Sequence, residues 1–328
     1  MVEPGPLLTR GAVADAERDA LAAGAVAVVR TGLALFRLTG GGRVACLQGL
    51  VTCDVAGAGD DARRLGALLT VKGMIVSPLW ITRLPDALTV ETPADAAARV
   101  AAVFQRSLPP RLCRAEDVSA ASASVGLYGP AAEAVLGAAG GAPDGTVVAR
   151  VAERGVVGFE CALPAAAGAA LAARLVAAGA VAGSPALLEE RRILAGVPRL
   201  GAEIDDHTLP QEVRLDDLGA VSFTKGCYLG QETVARIHFR GHANRRLAGL
   251  LLEREPPALP LDVRDAGHPV GRLTSACWRA SDGRWVGLAV VKRAVADGTS
   301  VALSGGGAAT VHALPWEAPA RAAAGPPT

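Results

Sequence analysis

The chain has 328 residues, of which 51% are hydrophobic and only 3% aromatic, a length that predicts two or three domains with real cores. Its formal net charge of +1 gives no global electrostatic basis for nucleic-acid binding, which requires the neutralisation of many phosphates. No apolar run reaches the roughly 18 residues needed to span a bilayer. The N-terminus also lacks the pattern of a secretory signal, so we predict a cytoplasmic protein with no membrane partner.

The first two thirds of the chain predict a mixture of helices and strands. Helix spacing and capping residues indicate helices at 15–24, 43–50, 93–108, 165–178 and 184–196, one that begins at Gly129-Pro130, and one that begins near residue 230. Apolar runs bounded by turn residues indicate strands at 25–30, 33–39, 64–70, 74–82, 88–92 and 122–128, and a hairpin at 147–163. We therefore expect an α+β fold for residues 1–246.

The character of the sequence changes after residue 246. Short apolar runs at 247–252, 270–275, 285–291 and 310–313 are separated by Pro and Gly turns. Such spacing predicts a small antiparallel barrel or sandwich over 247–317. The Pro- and Ala-rich tail, 318–328, is predicted to be disordered.

The six cysteines show no CxxC pair and no Cys/His spacing typical of a metal site. A permanent zinc or cluster site built from this chain alone is therefore not predicted. In a reducing cytoplasm most of them should be buried free thiols that act as small hydrophobic residues. The six are Cys46, Cys53, Cys113, Cys161, Cys227 and Cys277.

The segment around Cys227 carries the strongest chemical pattern. Residues 221–223 predict the end of a strand, and a helix is predicted from about residue 230. Unpaired N–H groups at a helix N-terminus and the cation of Lys225 would both lower the thiol pKa. Cys227 and Lys225 are therefore candidate catalytic residues. The alternatives are that Cys227 fills space at a tight turn and that Glu232 only caps the helix.

The motif Lys-Gly-Cys-Tyr-x-Gly-Gln-Glu at 225–232 closely resembles the signature of the YgfZ-type folate-binding proteins. These are relatives of the glycine-cleavage T-protein and include mitochondrial iron–sulfur assembly factors. Segments 192–198 and 209–212 resemble further family motifs. Segment 47–54 resembles Leu-Gln-Gly-x-x-Thr-Asn-Asp, with Cys53 in place of Asn.

The resemblance implies a T-protein-like fold, with two intertwined α+β subdomains containing ferredoxin-like portions and a C-terminal β-barrel around a central opening. It also implies binding of tetrahydrofolate or a one-carbon derivative, and a role in assembly or repair of 4Fe–4S enzymes, with tRNA modification among the associated processes. Iron–sulfur client or assembly proteins would be the partners, and the motif cysteine the key residue. The chemical step and the oligomeric state stay open. The candidate cofactor-binding residues are Gln48, Thr52, Asp54, Gly226, Tyr228, Gln231, Glu232, Arg236 and Arg240.

Each of these candidates has a simpler interpretation. Gln48, Thr52 and Asp54 would serve equally well as helix-capping or surface residues. A basic run could meet the anionic glutamyl tail of folate or form a solvated face. RNA is a secondary interpretation, because the net charge is small and few aromatic residues are available for stacking. The run comprises Arg236, His238, Arg240, His242, Arg245 and Arg246.

The alternative function is a folate-dependent aminomethyltransferase of the glycine-cleavage type. Such enzymes use an acidic pair after a glycine, where this chain has Val76 and Ser77. They also place a Glu before Ala-Gly, where this chain has Leu194. Because neither Val76 nor Ser77 can act as a base or carry negative charge, aminomethyl transfer is disfavoured. A non-catalytic scaffold, in which folate sets the shape and Cys227 protects or transfers a cluster, is a third interpretation.

Overall fold

The computed structural model describes residues 7–59, 63–153 and 155–317. Its strands are β1 Leu7–Leu8, β2 Val26–Arg30, β3 Leu33–Thr39, β4 Arg63–Leu69, β5 Ile75–Arg83, β6 Leu88–Pro93, β7 Arg114–Asp117, β8 Ser122–Tyr128, β9 Val147–Glu153, β10 Val156–Pro164, β11 Val181–Gly183, β12 Arg245–Leu252, β13 Leu261–Asp265, β14 His268–Arg279, β15 Arg284–Lys292, β16 Ser300–Leu303 and β17 Ala308–His312. Its α-helices are α1 Asp15–Ala23, α2 Arg43–Gln48, α3 Ala97–Ser107, α4 Ala132–Ala138, α5 Gly168–Ala177, α6 Pro185–Ala195 and α7 Gln231–Arg240.

The first sheet is antiparallel and has the strand order β4-β5-β6-β3-β7. Helix α3 packs on it through one apolar side, and the rings of Phe36 and Phe104 meet edge to face at 5.5 Å. Tyr228 and Val234 are buried in the same core. The segment that contains Cys227 is therefore anchored on the core of the first sheet.

The second sheet has the order β11-β2-β8-β10-β9, with β11 and β2 parallel and the other pairs antiparallel. Its residues alternate between two cores because successive strand side chains point to opposite faces. Ala27 of β2 packs with the core of α4 and α5, whereas Val26 and Val28 pack with Leu187 of α6. Helices thus cover both faces of this sheet.

The C-terminal strands form a closed six-stranded barrel in the order β14-β13-β16-β17-β12-β15, completed by pairing of β15 with β14. Closure leaves no free strand edge along most of the barrel. The N-terminal strand β1 adds to the barrel as a parallel neighbour of β14, with Leu7 opposite Ala276. Helix α6 docks on the outside of the barrel, where Ile193 and Leu194 pack against Leu247 and Leu288.

Buried ion pairs join the first two sheets. Arg30 of β2 lies 2.7 Å from a Glu160 oxygen and 3.3 Å from a Glu91 oxygen. Arg63 of β4 contacts the same two carboxylates at 2.6 Å and 2.5 Å. Burial opposes the charge on both arginines, but Glu160 and Glu91 outweigh it and raise the pKa of each guanidinium. Tyr128 adds a hydroxyl donor to Glu160 at 2.9 Å.

The predicted fold class, α+β followed by a small β-barrel, is confirmed. The predicted strand end at 221–223 is wrong, because residues 221 and 222 have no regular secondary structure and a bend begins at residue 223. The Ser222 amide donates to the Thr52 carbonyl. Strands β7, β11, β13 and β16 were not predicted, since they are short or, like the wholly exposed β7, have no apolar period. The division at residue 246 stays a prediction, and the tail 318–328 lies outside the described residues.

The buried ion pairs generate a stability prediction. Replacing Arg30→Leu leaves Glu91 and Glu160 with one arginine fewer in a dry environment, so the free energy of unfolding should fall by about 3–5 kcal/mol. Glu133→Gln, which breaks the exposed pair with Arg150, should change it far less. Chemical denaturation measures both variants. Equal, small losses would show that the cluster contributes nothing beyond a surface pair.

Candidate functional site

Residues 222–230 form an irregular loop, called the motif loop below, between the first sheet's core and α7. Gly230 precedes the helix with φ of 80°, a conformation that favours glycine. A Cβ atom at Gly230 would lie 2.5 Å from the Thr70 carbonyl oxygen and 3.0 Å from Cα of Gly73. The absence of a side chain therefore lets the loop approach the β4–β5 turn closely.

Lys225 fastens this loop to the end of α2. Its Nζ donates to the carbonyl oxygens of Gln48, Val51 and Cys53 at 2.6, 2.6 and 2.9 Å. Three acceptors match the three hydrogens of an ammonium group. Burial lowers the pKa of Lys225 to about 8, although Cys53 and Asp54 act in the opposite direction. The contacts show an anchoring role, and a catalytic role for Lys225 stays a prediction.

Cys227 differs from the other cysteines in its exposure. All six lie in the described residues; Cys227 is exposed, Cys46 is half-buried and the remaining four are buried. Burial raises the pKa of the Cys53 and Cys161 thiols to about 11. Helix α7 begins only at Gln231, so Cys227 lies on the loop ahead of the helix and not in its first turn. The feature that distinguishes Cys227 in the structure is therefore its accessibility.

The predicted residues near α2 are hydrogen-bonded within the protein. Gln48 donates from Nε2 to Asp54 at 2.8 Å, and its Oε1 accepts from the Val55 amide. Hydrogen bonds from the Gly57 amide and from Gln48 lower the pKa of Asp54. Thr52 is buried, where its hydroxyl donates to the Ala220 carbonyl and accepts from an amide of β4. These contacts shape the loop, and the proposed contacts with a pterin stay predictions.

The remaining predicted residues divide between the loop and α7. Tyr228 is buried, which raises the pKa of its hydroxyl to about 12. Gln231 accepts a hydrogen bond at 3.3 Å from the Tyr228 amide, so it closes the end of the loop. Gly226 is exposed, and so are Glu232, Arg236 and Arg240 along α7. The structure thus brings the loop residues together but places the two arginines on a solvated helix face.

A large cavity lies away from the motif loop. It has a volume of about 1060 Å³ and is bounded by β4, β9, the end of α6 and residues 214–219. None of the predicted site residues lines it. Its polar wall consists of Arg63, Arg64, Arg150, Glu153, Arg214 and Asp217. Sequence reasoning missed these arginines, although Arg150 stands out as a charge within the apolar alternation of β9.

A second cavity of about 400 Å³ adjoins the first. Arg214 and Asp217 line both cavities, so the two share a wall. Three members of the basic run also line the smaller cavity, namely His238, His242 and Arg246. Arg246 is paired with Asp297 at 2.6 Å, and Arg245, outside the cavity, with Glu212 at 2.8 Å. The basic run is therefore only partly available to a ligand.

The positions that distinguish aminomethyltransferases carry no acid in the folded chain. Ser77 is fully buried, where its hydroxyl donates to the Pro78 carbonyl at 3.1 Å and lies 2.8 Å from that of Thr92. Leu194 is buried against the barrel, and its carbonyl accepts from the Trp316 amide. Both side chains have packing roles that a carboxylate could not fill without cost.

Two family models match the chain. One, described as the GCVT N-terminal domain, matches residues 11–144, and one described as the glycine cleavage T-protein C-terminal barrel domain matches residues 245–319. Together they cover well over half of the chain. The aminomethyltransferase T of the glycine cleavage system from Bartonella henselae has the same fold, with a TM-score of 0.76 at 24% identity over 92% of this chain and 89% of that chain.

Several curated relatives are named tRNA-modifying protein YgfZ. The one from Colwellia psychrerythraea is 45% identical over 71 residues, which is 22% of each chain. The one from Edwardsiella ictaluri is 44% identical over 97 residues, or 28% of this chain and 29% of the relative. The one from Vibrio vulnificus strain CMCP6 is 35% identical over 119 residues, or 34% and 36%. The matches thus span about a fifth to a third of these relatives' own length.

The fold and the two matched domains define the superfamily of the glycine cleavage T-protein. The chain belongs to this superfamily as a protein of the YgfZ type. Among the described residues, no helix is both long and apolar enough to cross a membrane. Nor does the described part of the chain hold three or more His, Cys, Asp or Glu side chains arranged for a metal ion.

The exposure of Cys227 predicts selective alkylation. In the folded protein at pH 7, iodoacetamide should modify Cys227 first, because four of the other thiols are buried and Cys46 is half-buried. Peptide mass spectrometry over a time course measures the rate at each site, with Cys227→Ser as the control. Faster modification of any other cysteine would contradict the expected order.

The three hydrogen bonds of Lys225 predict a loss of stability. Lys225→Met should leave three loop carbonyls without their donor and lower the free energy of unfolding by about 1–3 kcal/mol. Lys72→Met makes the same substitution in an exposed turn and serves as the control. Urea denaturation compares them. If both variants matched the wild type, Lys225 would not anchor the loop.

Proposed function

We propose that this protein binds a reduced folate in the cavity bounded by β4, β9, the end of α6 and residues 214–219, and supports the assembly or repair of 4Fe–4S enzymes in the cytoplasm, with Cys227 as its reactive residue. The observation that carries the proposal is the combination of a large arginine-lined cavity with one exposed cysteine on the motif loop. Enzymes that modify tRNA are the clients suggested by the relatives' names.

The residues present fit a folate. A cavity of about 1060 Å³ is large enough for a drug-sized ligand, and its wall combines apolar residues such as Val148 and Leu65 with charged ones. Arg64 is suited to a carboxylate of the glutamyl end, because a guanidinium can hold a carboxylate through two hydrogen bonds. Arg150 could bind a second carboxylate only by exchanging its exposed pair with Glu133. Glu153 and Asp217 supply acceptors for the N–H groups of a pterin edge.

Whereas the cavity would bind the folate, Cys227 would act on a macromolecular partner. An exposed thiol on a loop fixed by Lys225 and Gly230 can meet a macromolecular partner, which a group sealed inside the protein cannot do. A thiolate is both a nucleophile and a soft ligand for iron. Transfer or protection of a client's cluster is therefore the role that its placement favours. The iron–sulfur cluster is the cargo of this reaction.

Aminomethyl transfer remains the weaker function. The likeness to the Bartonella henselae enzyme is a likeness of fold. Val76, Ser77 and Leu194 supply no carboxylate at the corresponding positions, so a cationic amine intermediate would lack its electrostatic partner. We expect no methylene transfer from an aminomethyl-lipoyl donor.

Ligand binding and cysteine chemistry can be tested separately. Calorimetry under anaerobic conditions should detect tetrahydrofolate binding to the wild type and to Cys227→Ser. Ala152→Trp, an exposed residue that lines the cavity, should abolish binding by filling the space, whereas Ala302→Trp on the barrel should not. Absence of heat and of a thermal shift at millimolar ligand would remove the folate assignment.

The same variants should then be expressed in cells that lack their own copy of the protein. Cys227→Ser should fail to restore the activity of 4Fe–4S enzymes, and the control Cys46→Ser should restore it. Full restoration by Cys227→Ser would remove the chemical role of the thiol. Loss of folate binding in that variant would instead make the residue part of the loop architecture.

A further inference from the structure

We propose that the C-terminal half of α7 binds an unpaired segment of RNA, using Phe239 as a stacking surface and Arg236 and Arg240 as phosphate contacts. This inference rests on the proposed function and extends it, because α7 directly follows the motif loop. The features that carry it are an exposed aromatic ring and two neighbouring arginines that form no ion pair among the described residues.

Phe239 is an unusual surface residue. It is 68% exposed in the last turn of α7, although a phenylalanine ring is normally buried. Single exposed apolar residues are common, but this ring belongs to an ordered group. His238 stacks on Phe223 of the motif loop at 3.6 Å with an interplanar angle of 15°, and its ring meets Phe239 edge to face at 4.7 Å. The group therefore offers a largely preformed aromatic surface.

The charges around this ring are positive. From residue 236 to residue 246 the sequence has four arginines, two histidines and no acid. Arg236 and Arg240 lie one turn apart on the same helix face, and both are exposed. Within the part of the chain that the structure describes, neither makes an ion pair. The neighbouring carboxylates are Glu232, one turn before Arg236, and Asp216, which interacts with His238.

The combination of ring and cations favours RNA over an acidic protein surface. An acidic partner would engage the arginines but leave the Phe239 ring in water. A nucleotide uses both, because its base stacks on the ring while its phosphates meet the guanidinium groups. In the sequence, RNA was the secondary interpretation because the net charge is only +1 and few aromatic residues are available for stacking. The structure places one of the few phenylalanines exposed within the basic run.

The test uses the full-length protein and a fluorescein-labelled, unstructured 12-nucleotide RNA, with fluorescence anisotropy measured over a range of KCl concentrations. The wild type should bind this RNA more tightly than a duplex of equal length. Phe239→Ala should weaken binding by about fivefold to a hundredfold, the effect of losing one base stack. Leu112→Ala, which shortens another exposed apolar side chain, should leave binding unchanged.

The contribution of the arginine charges is measured separately, from the salt dependence of RNA binding. For single strands, the log–log salt slope changes by about 0.7 for each phosphate contact, so Arg236→Gln with Arg240→Gln should reduce the slope by about 1.4. Arg106→Gln with Arg111→Gln removes the same charge from exposed positions elsewhere and should leave the slope unchanged.

Three outcomes would overturn the proposal: no RNA binding by the wild type, equal binding by Phe239→Ala, or equal slopes for the two double variants. Displacement of the RNA by polyglutamate with equal efficiency in the wild type and Phe239→Ala would assign the surface to an acidic protein instead. Tetrahydrofolate calorimetry on Phe239→Ala should match the wild type. This comparison distinguishes an error in the RNA-binding proposal from an error in the folate-binding proposal.

Discussion

Four buried charges, those of Arg30, Arg63, Glu91 and Glu160, determine how the first two sheets meet. Each arginine contacts both carboxylates, so neither sheet can shift without leaving a charge unpaired in a dry environment. Arg63 also lines the cavity of about 1060 Å³, together with Glu153. The Glu153 carboxylate accepts hydrogen bonds from Arg63 and from the Trp80 indole. The polar wall of the cavity is therefore an extension of the ion-pair cluster. Arg63 and Glu153 are thus held in place by contacts within the protein.

The motif loop is also held in place by a few contacts with the rest of the protein. Lys225 is bound to the end of α2, Tyr228 is buried in the first sheet's core, and Gly230 permits close contact with the β4–β5 turn. With its neighbours used in this way, Cys227 carries the exposed thiol of the loop. The family signature thus describes mainly how a loop is built. A signature whose residues mainly hold a loop in place does not by itself reveal a reaction.

The elements with strong periodicity could be predicted from the sequence, and those defined by distant partners could not. Helix α3 and strand β3 show clear apolar patterns, whereas β7 is wholly exposed and exists only because it pairs with β3. A strand end was predicted at 221–223 because Val221 and Phe223 are apolar, but the hydrogen bond from the Ser222 amide to the Thr52 carbonyl fixes the backbone there. In the site, Cys227 is the exposed cysteine among the six, and its functional importance stays a prediction. The cavity arginines were missed because Arg63, Arg150 and Arg214 are brought together only by the packing of distant segments.

The parallel pairing of β1 with β14 links the two ends of the sequence, since Leu7 and Leu8 are hydrogen-bonded neighbours of residues 276 and 277. During synthesis the N-terminal strand must wait for more than 260 further residues before its partner leaves the ribosome. The barrel consequently has the longest loop closure in the molecule, and such non-local contacts form late in folding. A shortened chain that ends before β14 would leave β1 without the strand that it pairs with.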